Sequence, residues 1–189
     1  MGCSNTSSSK TLLILSHNDY KNSFANKYIV NSLLERSPDI EVNHLDLKYP
    51  DLKFNVQQEQ QKLISSNIII FQFPLFWYNA PSTLRKYIED VFLHGFAHGT
   101  KGKAMKGKKL IVSLTAGAPS ECYESEKDRI ENLMHGMERL CILCGMNYLG
   151  VVYTCGVSYL LKDNKEELEK KKAELDNHIK KVLNTMETV

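Results

Sequence analysis

Three short segments carry residue types that could grip a ligand. The first is "SHNDYKNSFANK", residues 16–27, where an apolar run gives way to a helix start. The Ser23 hydroxyl and the free N–H groups of that start suit an anion such as phosphate, because a helix N-terminus carries partial positive charge. Plain capping of the helix by Ser23 explains the same residue. The second is "FPLFWYNAP", residues 73–81, which puts the chain's single tryptophan, Trp77, on the turn after an apolar run. The backbone of Pro74, Leu75, Phe76 and Trp77, with the flat indole, would receive a planar conjugated ring. Core packing of Trp77 is the alternative. The third is "TAGAPSECY", residues 115–123. Thr115 and Gly117 let backbone N–H groups approach something electron-rich, and Tyr123 adds a hydrogen-bond donor. A simple connecting loop is the competing reading. Neither Gly-x-Gly-x-x-Gly nor Gly-Lys-Ser/Thr occurs, so neither a dinucleotide grip nor a nucleotide P-loop is written here.

Other reactive types lead elsewhere. The five cysteines are odd in number and lack the spacing of a disulfide framework. Reduced thiols in a cytoplasmic setting follow. "CILC" has the spacing of a redox or metal pair, but Cys141 and Cys144 fall on the apolar face of a helical pattern and read as small buried hydrophobes. No metal site is expected. The leader "MGCSNTSSSK" fits an N-myristoylation pattern at Gly2, with Cys3 placed for a second acyl chain. Two chains would attach the protein peripherally to a membrane; a flexible Ser-rich leader is the other reading. A net charge of +2 with no basic stripe argues against nucleic acid. The lysines at 101–109 and 162–181 read as solvated surface. No apolar run is long enough to span a bilayer.

The elements that must position these segments alternate along the chain. Apolar runs predict strands at 11–16, 40–47, 67–73, 110–116 and 147–156. Helical spacing predicts helices at 23–36, 56–66, 81–95, 125–144 and 163–184. The last carries Glu166–Lys170 and Glu167–Lys171 pairs at spacing four. Strands that are apolar throughout and joined by helices make a parallel sheet covered on both faces. The expectation is an α/β, flavodoxin-like three-layer sandwich with five parallel strands in the order 2-1-3-4-5. Residues 1–10 form the leader and 11–189 one domain. Ligands bind beyond the carboxyl ends of such strands, which is where the three segments fall.

Together these motifs resemble the flavodoxin-like NAD(P)H:quinone oxidoreductases, a family that includes DT-diaphorase, modulators of drug activity and ancillary proteins of potassium efflux. The likeness covers residues 11–160 and is carried by "QFPLFWYNAPSTLRKYIEDVF", "GFAHGTKGKAMKGKKL", "TAGAPSECY" and "SHNDYKNSFANK". It implies a flavin, FMN or FAD, with NADPH or NADH as donor and a quinone, azo or nitro compound as acceptor. By position, His17, Ser23, Phe24 and Asn26 would hold the phosphate and ribityl chain. Pro74, Leu75, Phe76 and Trp77 would line the ring system. Thr115, Ala116, Gly117 and Ala118 would meet its pyrimidine side, with Tyr123 at the N1/O2 edge. Hydride delivered to flavin N5 gathers negative charge at N1 and O2, where preorganised donors lower the barrier.

Departures from the family pattern are visible. Ala116 and Ala118 replace residues of a Thr-Thr-Gly-Gly run. Arg129 stands where DT-diaphorase has a histidine, and His135 is the nearest histidine further on; either would take the catalytic place, unless His135 is an ordinary surface residue. His98 replaces a tyrosine that walls the substrate site, and Tyr78 would face substrate with it. The lack of a long C-terminal extension favours FMN. The resemblance also implies a homodimer. An electron-transfer or transporter-regulating flavoprotein is the second functional reading.

Overall fold

The computed structural model describes residues 10–158 and 165–188. Gly2 and Cys3 lie outside the described residues. Five parallel strands form one sheet: β1 (Thr11–Leu15), β2 (Glu41–His44), β3 (Ile68–Pro74), β4 (Lys109–Thr115) and β5 (Asn147–Thr154), in the spatial order β2-β1-β3-β4-β5. Every residue of β1 and β3 is buried, as strands covered on both faces require. Alternation divides their side chains between two cores. Ile68, Ile70 and Ile111 pack with α1 (Phe24–Arg36) and α7 (Lys165–Glu187) on one face. On the other, Ile69, Phe71, Phe73, Leu110 and Val112 pack with α3 (Val56–Ser65), α4 (Ser82–Val91) and α6 (His135–Cys144). The flavodoxin-like order expected from the sequence is the one found. Cys141 and Cys144 are buried within the second core, and burial pushes the Cys141 thiol up to about 12, which leaves it unreactive.

Four local expectations are corrected. The second strand stops at His44, and Leu45–Lys48 forms a helical turn, α2. A helical turn buries Leu45, sends Leu47 to solvent and swings the Asp46 carboxylate inward. The fourth helix stops at Val91 rather than residue 95. The helix expected at 125–144 begins at residue 130 and breaks at Met134, giving α5 (Ile130–Leu133) and α6. Ser125 bonds the Asp128 N–H and its carboxylate, a local turn that competes with helix; Gly136 weakens the following turn. The Glu166–Lys170 pair forms at 2.9 Å, but Lys171 turns to Glu174 and the Cys155 carbonyl.

One buried charge locks the edge strand to its cover. Glu59 of α3 is fully buried and accepts from Asn43 Nδ2 (2.6 Å), Tyr49 Oη (2.7 Å) and Lys48 Nζ (2.8 Å). Lys62 stands 3.5 Å away. Burial alone would raise the Glu59 pKa. The Lys48 and Tyr49 hydrogen bonds and the two ammonium charges outweigh it and hold the carboxyl below the usual range. Lys48 is shifted up by this partnership, whereas the more deeply placed Lys62 is shifted down by burial. A carboxylate with a depressed pKa stabilises the fold above its unfolded pKa, and that stability is lost as pH falls through the folded value. Glu59→Gln is therefore expected to cost about 2–3 kcal/mol at neutral pH, the low end for a broken buried pair because Lys48 keeps some water. In urea titrations the gap between wild type and variant should narrow below about pH 4; an equal gap at both pH values would contradict an ionised Glu59.

Candidate functional site

The carboxyl ends of β1, β3 and β4 open onto a cavity of about 570 Å³. His17, Asp19, Ser23, Phe24 and Asn26 line it from the β1–α1 side. Pro74, Leu75 and Phe76 form its wall after β3, and Thr115 and Gly117 its wall after β4. Val157 and Ser158 close it after β5. The volume falls within the range of small-molecule and cofactor sites.

One end of the cavity gathers hydrogen-bond donors around the start of α1. Ser23 is the N-cap of α1, and its Oγ accepts from the Asn26 N–H at 3.3 Å. The first N–H groups of the helix lack intrahelical partners and face the same end. Asn26 is buried, with its Nδ2 donating to Ser23 Oγ (3.2 Å) and Thr115 Oγ1 (3.0 Å). His17 is a neutral donor. The Asp19 N–H donates to its Nδ1 at 3.1 Å, which leaves the ring proton on Nε2. Burial lowers its pKa, against the opposing charges of Asp19 and Asp46.

Asp46 positions this histidine. Its carboxylate accepts from the His17 N–H at 2.7 Å and from the Thr83 hydroxyl at 2.8 Å, so it joins the β1 loop to the start of α4. His17, Tyr20 and His44 form an edge-to-face file of rings. They border an adjoining hollow of about 350 Å³ that shares His17 and Asp19 with the cavity.

The turn after β3 is strained. Phe76 and Asn79 exchange both backbone hydrogen bonds at 2.9 Å. Between them Trp77 and Tyr78 both have positive φ, 49° and 60°. That is the pattern of a type I′ turn, which glycine and asparagine normally occupy. The Leu75 N–H is spent on the Thr115 carbonyl (2.7 Å), and the Ala116 N–H on the Thr154 carbonyl (2.9 Å). No described residue accepts from the N–H groups of Trp77, Tyr78, Gly117 or Ala118.

The sequence-derived candidates thus divide. His17, Ser23, Phe24, Asn26, Pro74, Leu75, Phe76, Thr115 and Gly117 meet at one cavity. Trp77 is 95% exposed, and Tyr78 stands beside it on the rim. Tyr123 lies on a one-turn helix, Ser120–Tyr123, and packs against the α3/α4/α6 core rather than lining the cavity, close enough to Tyr78 for the two phenols to interact electrostatically. Burial raises its pKa, so it keeps its proton at neutral pH. Ala116 is buried, and Ala118 lies in the same loop. Arg129 is exposed at the start of α5, in electrostatic range of Tyr153. His135 is exposed and pairs with Glu138 at 3.0 Å. His98 stacks edge-on against His94 in the loop after α4. Sequence reasoning missed Asp19, Asp46, Val157 and Ser158. The loop after the fifth strand was a place to look, since every carboxyl end in such a sheet faces the crevice.

Replacing Trp77 by Asn and Tyr78 by Gly should relieve the left-handed backbone and raise stability by about 1–2 kcal/mol. Neither side chain offers much buried area to lose. A lower unfolding midpoint in urea would mean that the two rings carry packing of their own.

The Flavodoxin_2 family model, described as a flavodoxin-like fold, matches residues 9–179. A Bacillus subtilis protein, the uncharacterized NAD(P)H oxidoreductase YrkL, is 33% identical over 82% of this chain and 90% of that protein. The general stress protein 14 of Treponema denticola, solved in complex with FMN, superposes with a TM-score of 0.82 over 95% of this chain and 98% of that one, at 24% identity. An NADPH-quinone reductase from P. pentosaceus superposes with a TM-score of 0.72 over 90% and 95%, also at 24% identity. At that identity the two superpositions speak for the fold.

Proposed function

The chain belongs to the Flavodoxin_2 family of flavodoxin-like proteins, and from that premise we propose that it is an FMN-dependent NAD(P)H oxidoreductase acting on quinones or related electrophiles. The observation that carries this reading is the shape of the cavity: an anion-binding helix start at one end and a flat apolar wall at the other, beyond the carboxyl ends of adjacent strands. An FMN phosphate fits the first and its ring system the second. The YrkL and P. pentosaceus relatives, by their names, support the activity, and the Treponema denticola protein supports FMN.

A flavin bound there would supply two-electron hydride chemistry between a nicotinamide donor and the acceptor. This chain's residues bind, orient and polarise. Ser23 and the N–H groups that follow it hold the phosphate without a cation. His17 Nε2–H adds a neutral donor. Pro74, Leu75 and Phe76 form the wall behind the ring, and the free N–H groups of Trp77, Tyr78, Gly117 and Ala118 supply donors at its edges. Tyr123, still protonated at neutral pH, donates toward charge that develops in the transition state. Arg129 lies near Tyr153 and His135 is held by Glu138, whereas Tyr123 neighbours Tyr78 of the turn after β3, which makes Tyr123 the catalytic candidate.

A homodimer completes the reading. A groove of about 560 Å³ between α4 and α6 is lined by Ile88, Leu133, Met137, Leu140 and Leu143 and begins at Asn79, beside the strained turn. Leu143 is 63% exposed and Ile142 57%. A second copy seated there would cover both, along with Trp77.

The purified protein should be yellow, release FMN on denaturation, bleach with NADPH or NADH under anaerobic conditions and turn over menadione. Colourless protein that takes up no FMN would refute the assignment. Tyr123→Phe should keep its flavin yet lose about 10²-fold in the rate of single-turnover reduction; an unchanged rate removes Tyr123 from the chemistry. Leu143→Glu should convert the dimer to monomer in sedimentation, and a wild-type monomer would refute the dimer.

A further inference from the structure

Gln72 and Ser113 sit side by side in β3 and β4, the middle of the sheet, and both are fully buried. Apolar residues would fit those places at lower cost, since buried polar groups must all be satisfied. Their partners run in one unbroken file over the α1/α7 face. Thr154 Oγ1 is 3.0 Å from His178 Nδ1, and His178 Nε2 is 2.7 Å from Ser113 Oγ. Ser113 Oγ is 2.5 Å from Gln72 Oε1, and Gln72 Nε2 is 2.8 Å from Asn26 Oδ1. Asn26 Nδ2 then reaches Ser23 Oγ and Thr115 Oγ1. One end of the file lines the cavity. The other, His178 on α7 with Thr154 beyond it, is buried, does not touch the cavity and borders a separate hollow.

We propose that this file sets the hydrogen-bond polarity of the cavity's anion end, with His178 as a remote positioning residue. The inference rests on the flavin reading of the cavity. The file can be satisfied in two senses. In the outward sense His178 carries its proton on Nε2 and donates to Ser113. Ser113 donates to Gln72, Gln72 to Asn26, and Asn26 to Ser23 and Thr115. Both hydroxyls are then acceptors toward Asn26 and keep their own O–H for the cavity, where a phosphate needs donors. In the inward sense both amides turn over, Ser113 donates to His178, and the Ser23 and Thr115 hydroxyls are consumed by Asn26. The cavity then meets only their lone pairs, which repel an anion. The imidazole has a partner on its far side in either case, because the Thr154 hydroxyl can donate to Nδ1 or accept from it. Burial holds the His178 pKa down at about 3, with the Lys181 charge adding to the effect. The ring is therefore neutral, and its tautomer, not its charge, selects the sense. The arrangement of the amides corresponds to the outward one.

Long-range ¹H–¹⁵N spectra of the FMN-bound protein, labelled at histidine, should show His178 as the Nε2–H tautomer. His178→Leu, which deletes that donor, should weaken FMN about tenfold, the effect of one misdirected hydrogen bond. Riboflavin, which lacks the phosphate, should weaken by less than about threefold. His178→Gln places an amide N–H where the ring Nε2–H stood and should recover most of the FMN affinity. An Nδ1–H tautomer with FMN bound, equal losses for FMN and riboflavin, or a Gln variant as weak as the Leu variant would each overturn the proposal. If the Leu variant does not fold, the wild-type tautomer decides alone. A wild-type protein that binds no flavin instead refutes the cofactor reading on which the proposal stands.

Discussion

A parallel sheet with no polar face has to be covered on both sides, and that requirement creates the cavity. β1 and β3 are neighbours, yet α1 returns along one face while α3 and α4 return along the other. The chain leaves adjacent strand ends in opposite directions, and the covers part there. What fills the parting is whatever the loops carry. The β1 loop brings a helix start, the β3 loop an apolar wall and the β4 loop a hydroxyl. None of these needs a dedicated element, because the core already fixes each loop's origin. The β1–β3 register continues one residue beyond β1, with the Ser16 N–H on the Gln72 carbonyl at 3.0 Å, so the first and third loops are set against each other by the sheet itself.

The aromatic turn is where the chain departs from economy. Two large side chains occupy left-handed backbone that glycine would take at no steric cost. They are also exposed, so burial does not repay the strain. Phe76 faces the cavity and Asn79 the α4–α6 groove, with the turn as the partition between them. A partition made of rings presents flat apolar surface on both sides, and strained backbone at such a place is more readily understood as serving a ligand or a second copy than as serving the fold.

The legible parts of the sequence were those governed by one dominant force. Runs such as "LLIL" and "IIIF" have no amphipathic alternative, so strand, burial and parallel pairing followed together. Ser23 before a helical pattern located the N-cap of α1. What escaped depended on competition between near-equal choices. "HLDL" alternates like a strand, but a single turn of helix buries Leu45 equally well and lets Asp46 hold His17, a benefit visible only once α4 brings Thr83 alongside. The 125–144 pattern has the right period, yet Ser125 and Gly136 tip its ends out of helix. Gln72 inside an apolar strand and His178 between Leu175 and Ile179 are polar residues at core positions that the sequence reading passed over. Their connection was not legible, because the file joins residues 23 to 178 through the fold alone.

The chemistry of the cavity follows from its lack of cations. No lysine or arginine lines it among the described residues, and Asp19 stands at its edge with its carboxylate held by Asn22. What the cavity offers a ligand is dipoles: the start of α1, the hydroxyls of Ser23 and Thr115 and the neutral His17 ring. Dipoles differ from charges in that their sign depends on direction. A lysine attracts phosphate from any angle, whereas a hydroxyl attracts it only with its hydrogen and repels it with its oxygen. A site built this way cannot leave its donors free to rotate. It has to fix them from behind with partners that accept no alternative, and in a low-dielectric interior such a network is strong when complete and costly when broken. The buried file from His178 through Ser113, Gln72 and Asn26 to Ser23 and Thr115 is a network of that kind in the centre of an otherwise apolar sheet.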